Sequence, residues 1–269
     1  MTLSERISPS SIGTRRVLGW QSAPRAAIAA LPAHKRLRIG AAWRFRMEQE
    51  HLAVGHFARL VYELAATGAE PVVLALLTRA ASDEVRHFAI CRDYAALFVD
   101  EVLPERLEGS ARPVPRPHLA RREQALLEVV ETCCVSETLT GLYFTEMLAR
   151  TTDPFARSLV ESLLEDELHH GRVGWTHLTN ACREGWGKPV VEAHLLELFE
   201  RAVGSVLTLS ASRREGDDLS MEALAWLGND TGARIYREGL RDMLLPGLAA
   251  VGLDVGALRE AAHTRGWLP

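Results

Sequence analysis

The sequence predicts an all-α protein, and three observations carry that expectation. Apolar residues recur at steps of three and four along every long segment. No segment sustains the period-two alternation of a half-buried strand. Ala, Leu, Arg and Glu abound, whereas aromatic residues make up only 6% of the 269 residues, a composition that favours helices over strands.

The elements follow in order. Residues 1 to about 38 carry Pro9, Pro24 and Pro32, which limit helix length, so they read as an N-terminal arm with one or two short helices. From Gly40 to about Ala66 the residues Trp43, Met47, Glu50, Val54, Phe57, Val61 and Leu64 form one helical stripe, broken by Thr67-Gly68. Pro71 suits a first helical turn and opens a second helix to about Asp100. Pro104, Pro113, Pro115 and Pro117 mark a crossover loop, and a third helix is expected from about Leu119 to Arg150. Thr152-Asp153-Pro154 is a start signal, with Asp153 as cap, for a fourth helix to about Cys182, stopped before Gly185-Trp186-Gly187. Val190 to Ser210 reads as a fifth helix, Arg213 to Asp218 as a polar loop, and Ala233 to Leu245 and Val255 to His263 as later helices. The chain thus divides into an arm (1–38), a four-helix segment (39–184) and C-terminal helices (185–269).

Charge and composition exclude several classes. Thirty-one basic against thirty-five acidic residues leave a net charge of −4, which gives no basic footprint for nucleic acid. Four cysteines (Cys91, Cys133, Cys134 and Cys182) without a CxxC pair form neither a disulfide framework nor a zinc or rubredoxin-type module, and read as reduced thiols. The first twenty residues lack the apolar core of a secretory signal, and the longest apolar run, near Val72 to Leu77, is too short to span a bilayer. A cytoplasmic location without membrane attachment is the expectation.

The chemistry lies in a repeat. Asp83-Glu84-Val85-Arg86-His87 in the second helix matches Asp166-Glu167-Leu168-His169-His170 in the fourth. In this composition one Asp-Glu-x-x-His is expected by chance about 0.03 times. Glu84 follows Pro71, and Glu167 follows Pro154, by the same thirteen residues, so both motifs lie at one depth, roughly 20 Å from their helix starts at about 1.5 Å per residue. Residues at i and i+3 share a helix face, so each Glu and His point the same way. Val160, Leu163 and Leu164 turn that face inward, where a carboxylate and an imidazole are costly unless an ion compensates them.

A two-metal site needs one further carboxylate from each partner helix. Glu137 lies about as far before the second interhelical turn as Glu167 lies after it. Glu50 lies on the Met47, Val54, Phe57 stripe, and Glu50-x-Leu52 with Phe57 matches Glu137-x-Leu139 with Phe144. Glu48, Glu63, Glu131, Glu146 and Glu165 fall off the stripe or at the wrong height, and His51, His56 and His177 read as surface or packing residues. His169 takes the place of Arg86 in the other copy and reads as a non-ligand. The expected ligand and catalytic set is Glu50, Glu84, His87, Glu137, Glu167 and His170. The two Glu-to-Glu separations differ by four residues (34 and 30), a helical turn that a longer first connection, Ala65 to Glu70, would absorb.

On this doubled motif the chain resembles the ferritin-like diiron-carboxylate superfamily over about residues 40 to 183. The resemblance implies a ferritin-like four-helix bundle holding two iron ions, with manganese or a mixed Mn/Fe pair as alternatives, and O2 as co-substrate. It also implies that Asp83 and Asp166 support the histidine ligands from behind. Cys91 stands where ribonucleotide reductase subunits commonly place a tyrosine one turn after the first His, and Tyr62, Tyr94 and Tyr143 read as packing residues. The separations of 34 and 30 look like the arylamine N-oxygenase branch, although its extra histidine, one turn before the fourth-helix Glu, is Leu163 here. The implied function is an O2-dependent diiron oxidase or oxygenase that oxidises a small organic substrate at nitrogen or carbon. A ferroxidase, or a non-enzymatic metal-stabilised helical protein, is the alternative. With no GxGxxG fingerprint for flavin or nicotinamide, a separate electron donor or reductase is expected. So is pairing into a homodimer, as helical bundles of this kind often do.

Overall fold

Two long helices, Ala33–Ala66 and Pro71–Ala95, form the longest helix pair of the computed structural model, which describes residues 19–109, 114–204, 207 and 216–268. After a short turn at Trp20–Ser22 come α1 (Arg25–Ala30), α2 (Ala33–Ala66) and α3 (Pro71–Ala95). A connection without helix among its described residues leads to α4 (Arg121–Val129), which runs through a π-helical stretch (Val130–Ser136) into α5 (Glu137–Arg150). Then follow α6 (Pro154–Arg183) and α7 (Gly187–Phe199), the latter extended by a π-helical stretch, Glu200–Gly204. The last elements are α8 (Leu219–Glu222), α9 (Asn229–Gly239) with a π-helical stretch Leu240–Leu244, α10 (Leu245–Ala250) and α11 (Gly256–Thr264). All regular structure among the described residues is helical.

Two long helix pairs, α2 with α3 and α5 with α6, meet where α3 packs on α6 and α2 on α4. Their connections of four residues (67–70) and three residues (151–153) make the partners in each pair antiparallel. The start signal read at 152–154 is real: the Asp153 carboxylate accepts from the Ala156 backbone N–H at 2.9 Å. Among the C-terminal helices, α9 packs on α5 and α11 on α7.

Several boundaries move from their expected places. The first long helix begins at Ala33 rather than Gly40, so the arm is shorter, and its residues 1–18 lie outside the described residues. Gly40 is a packing position within α2. A Cβ there would sit 2.7 Å from Val99 Cγ1, so the glycine lets α2 approach residues 98 and 99 closely. Helix α3 stops at Ala95, five residues before Asp100. The third expected helix is one continuous body with a π-helical interruption, which apolar spacing does not reveal. The end of the expected fifth helix and the first half of the polar loop from Arg213 lie outside the described residues.

Two apolar layers bracket the middle of these helix pairs. One contains Trp43, Met47, Cys91, Tyr94, Phe144 and Leu163, and the other Phe57, Leu60, Leu77, Ala80, Cys133 and Val173. Adjacent Cys133 and Cys134 do face apart, Cys134 joining a third core under α7 and the C-terminal helices. All four cysteines are free thiols. No helix among the described residues is long and apolar enough to cross a membrane.

Candidate metal centre

Between the two apolar layers lies a polar one, assembled from four helices. Glu50 on α2, Glu84 and His87 on α3, Glu137 at the start of α5, and Glu167 and His170 on α6 are all buried, none more than 8% exposed. They form two overlapping groups: Glu50, Glu84, His87 and Glu167 in one, and Glu84, Glu137, Glu167 and His170 in the other. Within each group one potential ligand atom per residue lies within 4.8 Å of every other. Ligands held about 2.0–2.3 Å from one ion are themselves roughly 3–4.5 Å apart, so each group matches the dimensions of a single ion. Glu84 and Glu167 belong to both.

The two motifs support each other crosswise. His87 Nε2 meets Asp166 Oδ2 at 3.3 Å, and His170 Nε2 meets Asp83 Oδ2 at 3.5 Å, so each aspartate holds the histidine of the other motif. Because the Nε2 atoms face the aspartates, the Nδ1 atoms turn inward. His170 Nδ1 is 3.0 Å from Glu84 Oε1, and His87 Nδ1 is 3.4 Å from Glu84 Oε2. Proximity is not pairing, however. Both Nδ1 atoms and Glu84 Oε2 are fully buried with no hydrogen-bond partner, the angles being wrong for one. Three inward-facing polar atoms without hydrogen-bond partners, at the point where four carboxylates converge, suit a cation once the imidazoles give up their protons.

Behind the aspartates lies a cationic layer. The buried Arg86 guanidinium pairs with Asp166 and donates to Ser162 Oγ at 2.8 Å. Half-exposed Arg79 reaches both aspartates, at 3.5 Å from Asp83 and 3.5 Å from Asp166. Arg86 thus has a defined place that the repeat by itself did not assign. Its counterpart His169 is half-buried and belongs to neither group.

Crowding sets the charge states of the metal-free layer. Burial, reinforced by Glu84, raises the Glu50 carboxyl to about 7, and burial with Glu167 nearby raises Glu137 well above the usual range. Burial would also raise Glu84 and Glu167, but the two imidazoles, with the Glu137 hydroxyl for Glu167, outweigh it and hold both low. The histidines respond in the opposite sense. Burial would lower them, yet the Glu84 charge lifts His87 to about 9, and contacts with Asp83, Glu167 and Glu84 lift His170 well above its ordinary value.

The remaining candidates lie elsewhere. Glu48 pairs with Arg44, Glu63 with Arg121, Glu131 with Arg201, and Glu146 with Arg150 and Arg234; none of these, nor Glu165, enters either group. His51 donates to the Gly109 carbonyl or faces it at 3.0 Å, His56 accepts from Arg59, and His177 stays apart. Tyr94 is packed in the core with its hydroxyl donated to the Leu224 carbonyl, whereas Tyr62 is an exposed surface residue rather than a packing one. Tyr143 lines a cavity of about 450 Å³ between α2, α5, α9 and the 225–228 loop. Arg46, which also lines it, lies 3.5 Å from Glu50. Sequence reading missed Arg46: one arginine on a helix has no periodic signature. Comparison with family models, with curated proteins and with solved structures finds no match.

Proposed function

We propose that this protein is a non-haem diiron oxidase or oxygenase of the ferritin-like kind, acting on a small organic substrate with O2. The observation that supports the reading is the pair of four-residue groups sharing Glu84 and Glu167. One ion would be held by Glu50, His87 and the two shared carboxylates, the other by Glu137, His170 and the same two. Carboxylate with imidazole suits iron, and manganese next. Bound iron would supply electrons to O2 and so oxidise a substrate that the protein positions.

The chain's own residues have separable tasks. The four glutamates would hold the ions and offset their charge. Asp83 and Asp166 fix the ring orientation of His170 and His87, which keeps each Nδ1 aimed inward. The apolar layers on either side exclude water. Electrons would come from a separate donor protein.

The test is metal content after anaerobic Fe(II) loading and desalting. About two irons per chain in the wild type, lost in Glu84→Ala and in His170→Ala, are expected, followed by O2 uptake that depends on an added reductant. Retention of less than about half an equivalent of iron or manganese by the wild type would overturn the six-residue assignment. Rapid O2 uptake driven by Fe(II) alone, unaffected by organic compounds, would favour a ferroxidase.

A further inference from the structure

The cavity beside Glu50 has a composition of its own. Trp43, Phe45, Tyr143, Met147, Trp226 and Tyr236 give it aromatic and apolar walls, and its volume of about 450 Å³ is in the range of small-molecule sites. Arg46 is the only charged residue among the described lining residues. Its guanidinium carbon lies 4.4 Å from the Phe144 ring centre and 5.5 Å from that of Tyr143. Its hydrogen bond to Glu50 is long, at 3.5 Å. A guanidinium carries five N–H donors, so Arg46 retains donors for a second acceptor. The outer wall is fixed: Trp43 Nε1 donates to the Ala225 carbonyl at 2.9 Å, and the Tyr94 hydroxyl donates to the Leu224 carbonyl at 3.0 Å.

These features select a ligand by charge and shape. A flat ring suits walls made of Trp and Tyr. An amine would find no acidic partner on the lining, and would meet the Arg46 charge before it reached Glu50. A neutral molecule would leave a largely desolvated guanidinium with one long bond. A carboxylate satisfies Arg46 bidentately, and the need is greatest once Glu50 is engaged elsewhere.

We propose that this cavity binds an aromatic carboxylate, with its carboxylate on Arg46 and its ring between Trp43, Tyr143 and Trp226, and that such acids are the substrate class of the neighbouring centre. The second half of that statement rests on the diiron reading above; the first does not. Because Arg46 lies between the cavity and Glu50, the acid end of the molecule faces the carboxylate–histidine layer. The ring carbons nearest the carboxylate, rather than the far edge, are then the ones presented to the ions.

The experiment is a calorimetric titration of the full chain, metal-free and after anaerobic Fe(II) loading, with benzoate, benzamide and benzylamine. In the metal-free protein, where direct coordination of the acid to iron is excluded, benzoate should bind about 10- to 100-fold more tightly than benzamide, the usual margin of a charge-assisted contact. Benzylamine should bind no better than benzamide. Arg46→Gln should bring benzoate down to the level of benzamide. Gly232→Leu acts differently, because a Cβ at Gly232 meets Tyr143 at an ordinary 3.6 Å and a longer side chain fills the cavity. It should abolish binding of both acid and amide while iron uptake and the melting temperature stay close to wild type.

Equal binding of acid and amide, preference for the amine, or benzoate binding untouched by Gly232→Leu would each overturn the cavity assignment even in a protein that takes up two irons. Benzoate binding with the expected variant pattern in a chain that takes up no metal would uphold the cavity and overturn the substrate assignment alone.

Discussion

Each aspartate of the repeated motif serves the histidine of the other copy, and this has a measurable consequence at single residues. Asp83→Asn should loosen the ion held by His170, and Asp166→Asn the ion held by His87, each by about 10- to 100-fold in affinity for one ion of the pair. Stepwise metal titration, read by competition with a chromophoric chelator, separates this from a pattern in which both ions weaken equally. Protonation gives a second expectation. Glu50 at about 7, Glu137 above its usual range, His87 at about 9 and His170 well above its ordinary value all hold protons near neutrality in the metal-free protein. Metal must displace them, so binding two divalent ions at pH 7 should release about three to four protons, and affinity should fall as pH drops. Uptake in weakly buffered solution, followed with a pH indicator, measures the number; release of no protons contradicts the assigned charge states. All six residues of the layer were legible in the sequence, because i, i+3 spacing and a repeated distance from a helix start are local properties. Arg46 and the Arg79–aspartate contacts were not, since they depend on which helices meet.

At the scale of elements, the four-residue difference between the Glu-to-Glu separations has a specific resolution. Sixteen residues separate Glu50 from the end of α2 at Ala66, against thirteen from Glu137 to the end of α5 at Arg150. The connections differ by only one residue, four against three. Most of the extra turn is therefore helix rather than the longer connection the sequence led us to expect. The π-helical stretch that precedes Glu137 packs against α6, and Gly174 makes the contact possible. A Cβ on Gly174 would lie 2.5 Å from the Cys133 Cβ and 2.9 Å from backbone atoms that cannot step aside. Gly174→Ala gains about 1 kcal/mol of helix propensity but overpacks by about 1–3 kcal/mol. A net loss of up to about 2 kcal/mol is expected in thermal or urea unfolding. Gly171→Ala is the matched control. Its Cβ would make ordinary 3.7 Å contacts, so it should be neutral or stabilising by up to about 1 kcal/mol. Equal effects at both sites would contradict the close approach.

For the whole molecule, ion removal and pH act on stability. If the centre binds two ions, each that favours the native state adds about 2.7 kcal/mol when free metal is a hundred times its dissociation constant, so chelation should lower the melting temperature of the wild type but not of Glu84→Ala. Acid acts elsewhere as well. Burial, with Arg59 and Arg201 nearby, holds His56 at about 4, and Arg59 donates to its Nδ1 at 3.2 Å. The unfolded chain protonates this histidine near its ordinary 6.5, so the stability it contributes is present above that pH and is lost as pH falls toward 4. Partial exposure limits the effect to about 1–2 kcal/mol. Buried Glu50 and Glu137 tilt the metal-free protein the other way, because carboxyls with raised values favour the folded state as they protonate. The informative quantity is thus the wild type minus His56→Gln difference in urea unfolding between pH 7 and pH 5. A difference independent of pH would show that His56 is not held neutral by the fold.

The sequence by itself determined the helical class, the four long helices and the six residues of the buried polar layer, because each follows from periodicity, breakers and spacing within one helix. Tertiary structure decided what those local rules do not reach. It made Gly40 a packing position, paired each aspartate with the opposite histidine, inserted π-helical turns beside Glu137, and placed Arg46 between Glu50 and an aromatic-lined cavity. The physical reason is the same in each case. A helix sets the direction in which its own side chains point, but only packing sets which side chains of another helix they meet.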